Sequence, residues 1–333
     1  MHQRERRREY LAAVDERSFL VYSRRDFAKV ALAGLPLASA LAKINSVVHG
    51  VHLGVQTYSF RDFTEPDAIG KVIKAMTEIG LGECELFSPQ TEPGVMEVMS
   101  KMFSSLSAGQ TAAERKAASA KFREELKAAE AKRSSIPLEH FRKIGKRFTD
   151  AGITAYGYNG SFGDSEEENN RTFEIAKALG VKIITWSGTI SVARKIAPLV
   201  DRHKMIIGCH GHSNVKDPNQ FATPESFATL MGLSKYFWIN LDIGHFTAAN
   251  YDPVAYIKEH HNRITNIHLK DRKKNEGPNV PWGEGDTPIK AVLQLIQKEK
   301  YPIPAYIEYE YHGSHDSITE VKTCFEYAKA CLA

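Results

Sequence analysis

Apolar residues along this chain fall into two rhythms. Short apolar runs such as Ile206-Ile207-Gly208-Cys209 alternate with longer stretches in which apolar positions return every third or fourth residue, as Phe173, Ala176 and Leu179 do. The short runs have the length of strands buried on both faces, and the longer stretches have the period of amphipathic helices. On this pattern strands are predicted at 52–60, 83–87, 153–158, 182–186, 204–210, 236–242, 264–269 and 305–310. Helices are predicted at 168–179, 191–199, 224–233, 253–260, 289–298 and 317–331. Gly80, Gly152 and Gly180 stand where a left-handed residue would close a helix. Alternation of this kind argues for a parallel sheet, and eight strands argue for its closure into a (β/α)8 TIM barrel.

One segment breaks the rhythm. Residues 93–137, between the second and third strands, are rich in Ala, Lys, Glu and Ser, and 111–132 reads as a charged helix. The expectation is a helical insertion on the surface of a single barrel domain running from 43 to 333.

Residues 1–42 read differently. Ser23-Arg24-Arg25-Asp26-Phe27-Ala28-Lys29 precedes an apolar run from Val30 to Ala42, with Ala38, Ala40 and Ala42 spaced as in an A-x-A cleavage site. The segment resembles a twin-arginine export signal, and its apolar run is shorter than the ~20 residues a helix needs to span a bilayer. The resemblance implies a signal peptide over 1–42 and use of the twin-arginine export machinery. It also implies a periplasmic or otherwise exported mature protein, with no membrane attachment after the signal is removed.

The whole chain has 44 Lys and Arg against 40 Asp and Glu, and without residues 1–42 the balance falls to 36 against 35. No concentrated basic surface is left, so nucleic acid is not an expected partner. Cys84, Cys209, Cys324 and Cys331 show no C-x-x-C spacing. Cys84 and Cys209 lie within apolar runs, where a free cysteine behaves as a small hydrophobe.

The chemistry stands at the strand ends. Four successive apolar runs stop on His210, Asp242, His268 and Glu308. A carboxylate or imidazole closing an apolar strand is costly unless it is paired or bound. Four of them in order would gather at the carboxyl-end rim of a parallel barrel. Two imidazoles and two carboxylates suit one divalent ion, among Mn, Mg, Co, Fe and Zn, and the oxygen share favours Mn. Residues i and i+2 share a strand face, so His212 can join His210, Lys270 can join His268, and Glu310 can join Glu308. Glu310, His245 and Lys270 are therefore the candidate catalytic groups, with burial beside Tyr309 and Tyr311 expected to raise the Glu310 pKa. Tyr58, Glu85, Tyr158, Trp186, His212 and Arg272 are candidate substrate contacts, since aromatic faces with polar tips suit a sugar-sized pocket.

Asp242-Ile243-Gly244-His245, His268-Leu269-Lys270-Asp271, Trp282-Gly283-Glu284-Gly285-Asp286 and Ile307-Glu308 together resemble the xylose-isomerase-like family of TIM-barrel sugar isomerases and epimerases. Pro137-Leu138-Glu139-His140-Phe141-Arg142 and Asp150-Ala151-Gly152-Ile153 resemble the same family. That resemblance implies one divalent ion held by Glu, Asp, His and Glu, with Asp242, His268 and Glu308 matching the last three. The first departs, because the fifth strand ends Cys209-His210-Gly211-His212. His210 is placed in the missing Glu position, with His212 as the competing choice. In the family a Glu pair flanking the metal shuttles the proton, so the departure counts against plain aldose–ketose isomerisation.

The resemblance implies a metal-dependent isomerase or epimerase that acts on a non-phosphorylated sugar or keto-sugar through an enediolate. A lyase or hydrolase acting on 3-keto-glycosides is the second reading, and a non-catalytic sugar-binding barrel is the third. A small carbohydrate is the expected partner, and the reading admits a homo-oligomer. Gly283-Glu284-Gly285 resembles a rim loop that binds phosphate in some barrels, a role that an exported enzyme would rarely use.

Overall fold

The computed structural model of the protein describes residues 43–64, 66–105, 121–129 and 131–333. The expected export signal and much of the expected helix at 111–132 lie outside the described residues.

The strands are β1 (Val47–Val48), β2 (Val51–Gln56), β3 (Glu83–Phe87), β4 (Thr154–Asn159), β5 (Ile183–Ser187), β6 (Ile206–His210), β7 (Phe237–Asp242), β8 (Ile264–Leu269) and β9 (Ala305–Ile307). β2 to β9 pair in parallel in chain order, and β9 returns to β2 through Leu53↔Ala305, Gly54↔Tyr306 and Val55↔Ile307. This closes the eight-stranded barrel the alternation predicts. β1 adds an antiparallel turn at the amino-terminal end, pairing Val47 with His52.

Helices Ala68–Ile79, Leu138–Asp150, Glu166–Leu179, Ile190–His203, Pro224–Leu233, Pro253–His260, Ile289–Glu299 and Ser317–Leu332 follow β2 to β9 in turn. The hydrophobic core lies between them and the strands, filled by residues such as Leu86, Phe141, Phe173, Phe227 and Ile257. Gly80 (φ 90°) and Gly180 (φ 77°) end two of the helices in the left-handed region that other residues rarely enter. No helix among the described residues is long and apolar enough to cross a membrane.

Two strand ends at the rim fall short of expectation by three residues or more. The first barrel strand stops at Gln56, because the Gln56 side-chain oxygen accepts the Tyr58 N–H (2.9 Å) and turns Thr57–Phe60 into a 3-10 helix. The last strand stops at Ile307. Glu308 still donates its N–H to Leu269 (3.0 Å), but the Tyr309 N–H turns to Ser59 Oγ (3.0 Å). The insertion is also less superficial than expected. Its first helix, Val95–Ser105, begins with Val95 and Met96 fully buried.

Candidate metal centre and its surroundings

His210 ends β6, Asp242 ends β7, His268 is the last-but-one residue of β8, and Glu308 follows β9. All four are buried, and one ligand-type atom from each lies within 4.8 Å of the others. Asp242 Oδ1 accepts the His245 N–H (2.7 Å), capping the short helix Ile243–Ala248. Its Oδ2 is buried, lies 3.0 Å from Lys270 Nζ, and makes no hydrogen bond. His210 Nδ1 donates to Asn240 Oδ1 (2.7 Å), which leaves the Nε2 lone pair available. Metal–ligand bonds run about 2.0–2.6 Å, so donors spaced this way can share one ion. This Asp242 oxygen, ion-paired with Lys270 but without a hydrogen bond, is an acceptor that such an ion would also engage, and the residues fit.

Beneath this group lies a carboxylate with no exposure at all. Glu85 Oε1 accepts from Gln56 Nε2 (2.9 Å) and Thr185 Oγ1 (2.6 Å). Its Oε2 accepts from Asn266 Nδ2 (2.8 Å), His268 Nε2 (2.8 Å) and Asn240 Nδ2 (3.3 Å). Burial alone would raise the Glu85 pKa, but the charge of His268 and these hydrogen bonds hold it below the usual carboxylate range.

Above the group stands Lys270. Its Nζ lies 3.0 Å from Glu308 Oε2 and 2.6 Å from Glu310 Oε2, in addition to its approach to Asp242. Burial disfavours its charge, but Asp242, Glu308 and Glu310 outweigh burial and hold the pKa well above the ordinary lysine value. Glu308 likewise would be raised by burial, yet Lys270 and His268 hold it well below its ordinary value. His245 Nδ1 is 2.6 Å from Arg272 Nη1, and its Nε2 is 3.2 Å from Lys270 Nζ. Burial, then Lys270, press the His245 pKa well below normal.

The other residues singled out in the sequence divide into two sets. His212 sits in the mouth, its ring 5.0 Å from both His210 and His245. Tyr58 stands at the rim against Phe87, and burial followed by the Glu310 charge pushes its pKa up to about 12. Arg272 reaches His245 while donating to Gly277 O and Ser213 Oγ.

Tyr158 and Trp186 are corrections. Tyr158 is fully buried with its hydroxyl on Glu92 Oε1 (3.0 Å), and it is the neighbouring Gly157 that faces Glu85. Trp186 packs edge-on against Phe162 and Phe221 in the core, while its neighbour Thr185 reaches Glu85. Both point outward because strand side chains alternate. Glu85 is a correction of another kind, since it lies under the mouth instead of lining it. The expected shielding of Glu310 also fails: the Tyr311 hydroxyl turns away to Glu320 (2.6 Å), and Glu310 is instead paired with Lys270.

Sequence reasoning missed Asn240 and Asn266. Each lies two residues before a strand-closing ligand and so shares its inward face, a period-two signal open to inspection. It also missed the role of Asp271, whose carboxylate accepts N–H groups from Gly283 (2.8 Å), Gly285 (2.9 Å) and Thr287 (3.2 Å). The glycine-rich rim loop spends those donors on a carboxylate of its own chain.

The buried His/Asp/His/Glu group lies at the carboxyl-end rim of a closed parallel barrel, the face at which barrels of this class carry their active sites. The Xylose isomerase-like TIM barrel family model matches residues 107–331, and the chain belongs to that family. It is 28% identical over 113 residues to L-ribulose-5-phosphate 3-epimerase UlaE of Escherichia coli O1:K1, a match covering 32% of this chain and 40% of that protein. The chain thus spans well under half the length of the curated relatives it matches. Among solved structures it resembles a sugar phosphate isomerase/epimerase from Parabacteroides distasonis ATCC 8503 (16% identity, 87% of this chain, 98% of that one, TM-score 0.55). It also resembles the probable 3-DHS dehydratase AsbF from Bacillus anthracis (15% identity, 85% and 98%, TM-score 0.55). Likeness at such identities shows the fold alone.

Proposed function

We propose that the protein is a divalent-metal-dependent isomerase or epimerase of a non-phosphorylated sugar or keto-sugar. The observation that carries this reading is the buried group His210, Asp242, His268 and Glu308, whose Asp242 Oδ2 makes no hydrogen bond, beside the Lys270–Glu310 pair. A divalent ion held there would act as a Lewis acid on a substrate carbonyl.

Glu310 has a partly exposed carboxylate, with its side chain 22% accessible, and it is placed to take a proton from the carbon beside that carbonyl. Lys270 stays charged and can steady negative charge as it grows on the substrate oxygen. Arg272 cannot give up its proton and its Nη1 lies 2.6 Å from His245 Nδ1, while the charged Lys270 Nζ lies 3.2 Å from Nε2. Held between these two cations, His245 stays neutral beside the mouth.

Return of the proton gives isomerisation or epimerisation. The Asp271 carboxylate in the rim loop supports a substrate without phosphate, because an anion there would meet a carboxylate instead of free N–H groups.

The test uses metal-loaded wild-type protein with a panel of neutral ketoses and keto-glycosides in deuterated water. Deuterium should enter at the carbon next to the carbonyl. Turnover without wash-in would remove the proton-transfer route and move hydrolysis ahead. Ser23 to Lys29 support export by the twin-arginine route, so Arg24→Lys with Arg25→Lys should keep the protein in the cytoplasm. Normal periplasmic accumulation of that double variant would sink the export reading.

A further inference from the structure

We propose that Glu85 is a positioning residue that selects which nitrogen of both imidazole ligands faces the metal. The inference rests on the metal-centre reading above. It concerns residues that reach the site only through those ligands.

A carboxylate only accepts, so the contact from His268 Nε2 to Glu85 Oε2 (2.8 Å) requires the proton on Nε2. His268 Nδ1 is thereby the nitrogen turned towards Glu308 (3.0 Å) and the ligand group. The same oxygen acts on His210 at one remove. Asn240 must point its NH2 at Glu85 (3.3 Å), which turns its amide oxygen towards His210 Nδ1 (2.7 Å). His210 Nδ1 then carries the proton, and Nε2 is left with its lone pair. One carboxylate therefore assigns opposite nitrogens on two rings from two strands.

Its own geometry is over-determined. Five donors from β2, β5, β7 and β8 converge on its two oxygens, so its rotamer cannot drift without stranding a buried N–H or O–H. Partners of this kind set the tautomer and orientation of metal-bound histidines, and their loss costs about 10–100-fold in metal affinity. Two ligands depend on this one residue, which places the expected loss at the upper end of that range.

The experiment titrates metal-free protein with Mn2+ by calorimetry and records the visible spectrum of the Co2+ form. Glu85→Gln keeps the shape but turns an NH2 towards donors, and it should bind Mn2+ about 100-fold more weakly with an altered Co2+ spectrum. Thr185→Val removes a bond from the other Glu85 oxygen. It should lower the melting temperature while leaving Mn2+ affinity within about threefold, because neither imidazole is touched. Asn240→Ala, read in the same way, should lose about 10-fold through His210 alone.

Glu85→Gln or, if that variant does not fold, Asn240→Ala with wild-type affinity and spectrum overturns the proposal. Equal losses in Thr185→Val would also overturn it, because general softening of the barrel would then account for the effect. A wild-type protein that binds no ion removes the metal-centre reading itself, and the proposal with it.

Discussion

Glu83 and Glu85 stand two residues apart on β3, face the same way, and each meets a histidine. At the amino-terminal end Glu83 Oε1 is 2.7 Å from His52 Nδ1, and the His52 side chain is 50% exposed. In the barrel interior Glu85 Oε2 is 2.8 Å from His268 Nε2, with both side chains at or below 2% exposure. Residue types and distances barely differ. What differs is water. His52 can trade its carboxylate for solvent, whereas His268 lies between two carboxylates and Lys270 lies among three. A histidine–carboxylate pair becomes part of a site only where every partner is enclosed, since enclosure makes an unpaired group costly.

Four measurements could break that comparison. The largest effect is expected on metal binding: elemental analysis should find His268→Ala largely stripped of its ion and His52→Ala fully loaded. Retention of metal by His268→Ala would remove the distinction between the two ends of the barrel. Next, Glu310→Gln should slow exchange of the substrate hydrogen with deuterium by about 10²-fold or more while keeping its metal, as the loss of a general base does. Unimpaired exchange would exclude Glu310 as the base.

The two glutamates should also differ in stability. Glu85→Leu strands several buried donors and should cost about 3–5 kcal/mol, the range for breaking an enclosed pair. Glu83→Leu frees one half-exposed imidazole and removes the acceptor of a long 3.5 Å contact from Tyr306, and should cost about 1–2 kcal/mol. Equal melting shifts would contradict the comparison.

The smallest effect concerns pH. The hydrogen bond to Glu83 raises the His52 pKa above 6.5. A raised histidine stabilises fully below its unfolded pKa of about 6.5 and loses that contribution as pH rises through the higher folded value. His52→Asn should therefore lower the melting temperature at pH 5.5 and leave it nearly unchanged at pH 9. The half-exposed pair is screened by solvent, so no more than about 1 kcal/mol is at stake. A larger loss at pH 9 would invert the sign and refute the pairing.

Much of the fold was legible because it depends on periodicity. The strand at 83–87 and the helices at 224–233 and 253–260 coincide with the observed elements, each bounded by turn or capping residues. The strand predicted at 52–60 ran four residues too far, because its end depends on a Gln56 side chain bonding back to its own backbone. At the site, the four strand-closing residues could be picked out because a polar group after an apolar run needs a reason to be there. Tyr158 and Trp186 were misassigned because an aromatic residue near a strand end suits core and mouth equally, and only the side to which it points decides.

The sequence by itself determined the order of strands and helices, the closure of the barrel, and the four residues brought to its carboxyl-end rim. These follow from local periodicity and from where apolar runs stop, which are properties of neighbours along the chain. Only the tertiary structure decided that Glu85 lies beneath the ligands, that Asp271 fills the rim loop, and that Lys270 joins three carboxylates. Those facts depend on distances between strands far apart in sequence, at 2.6–3.3 Å for the Glu85 and Lys270 contacts. A hydrogen bond or ion pair at that range is decided by the packed geometry of the barrel, and no spacing along the chain encodes it.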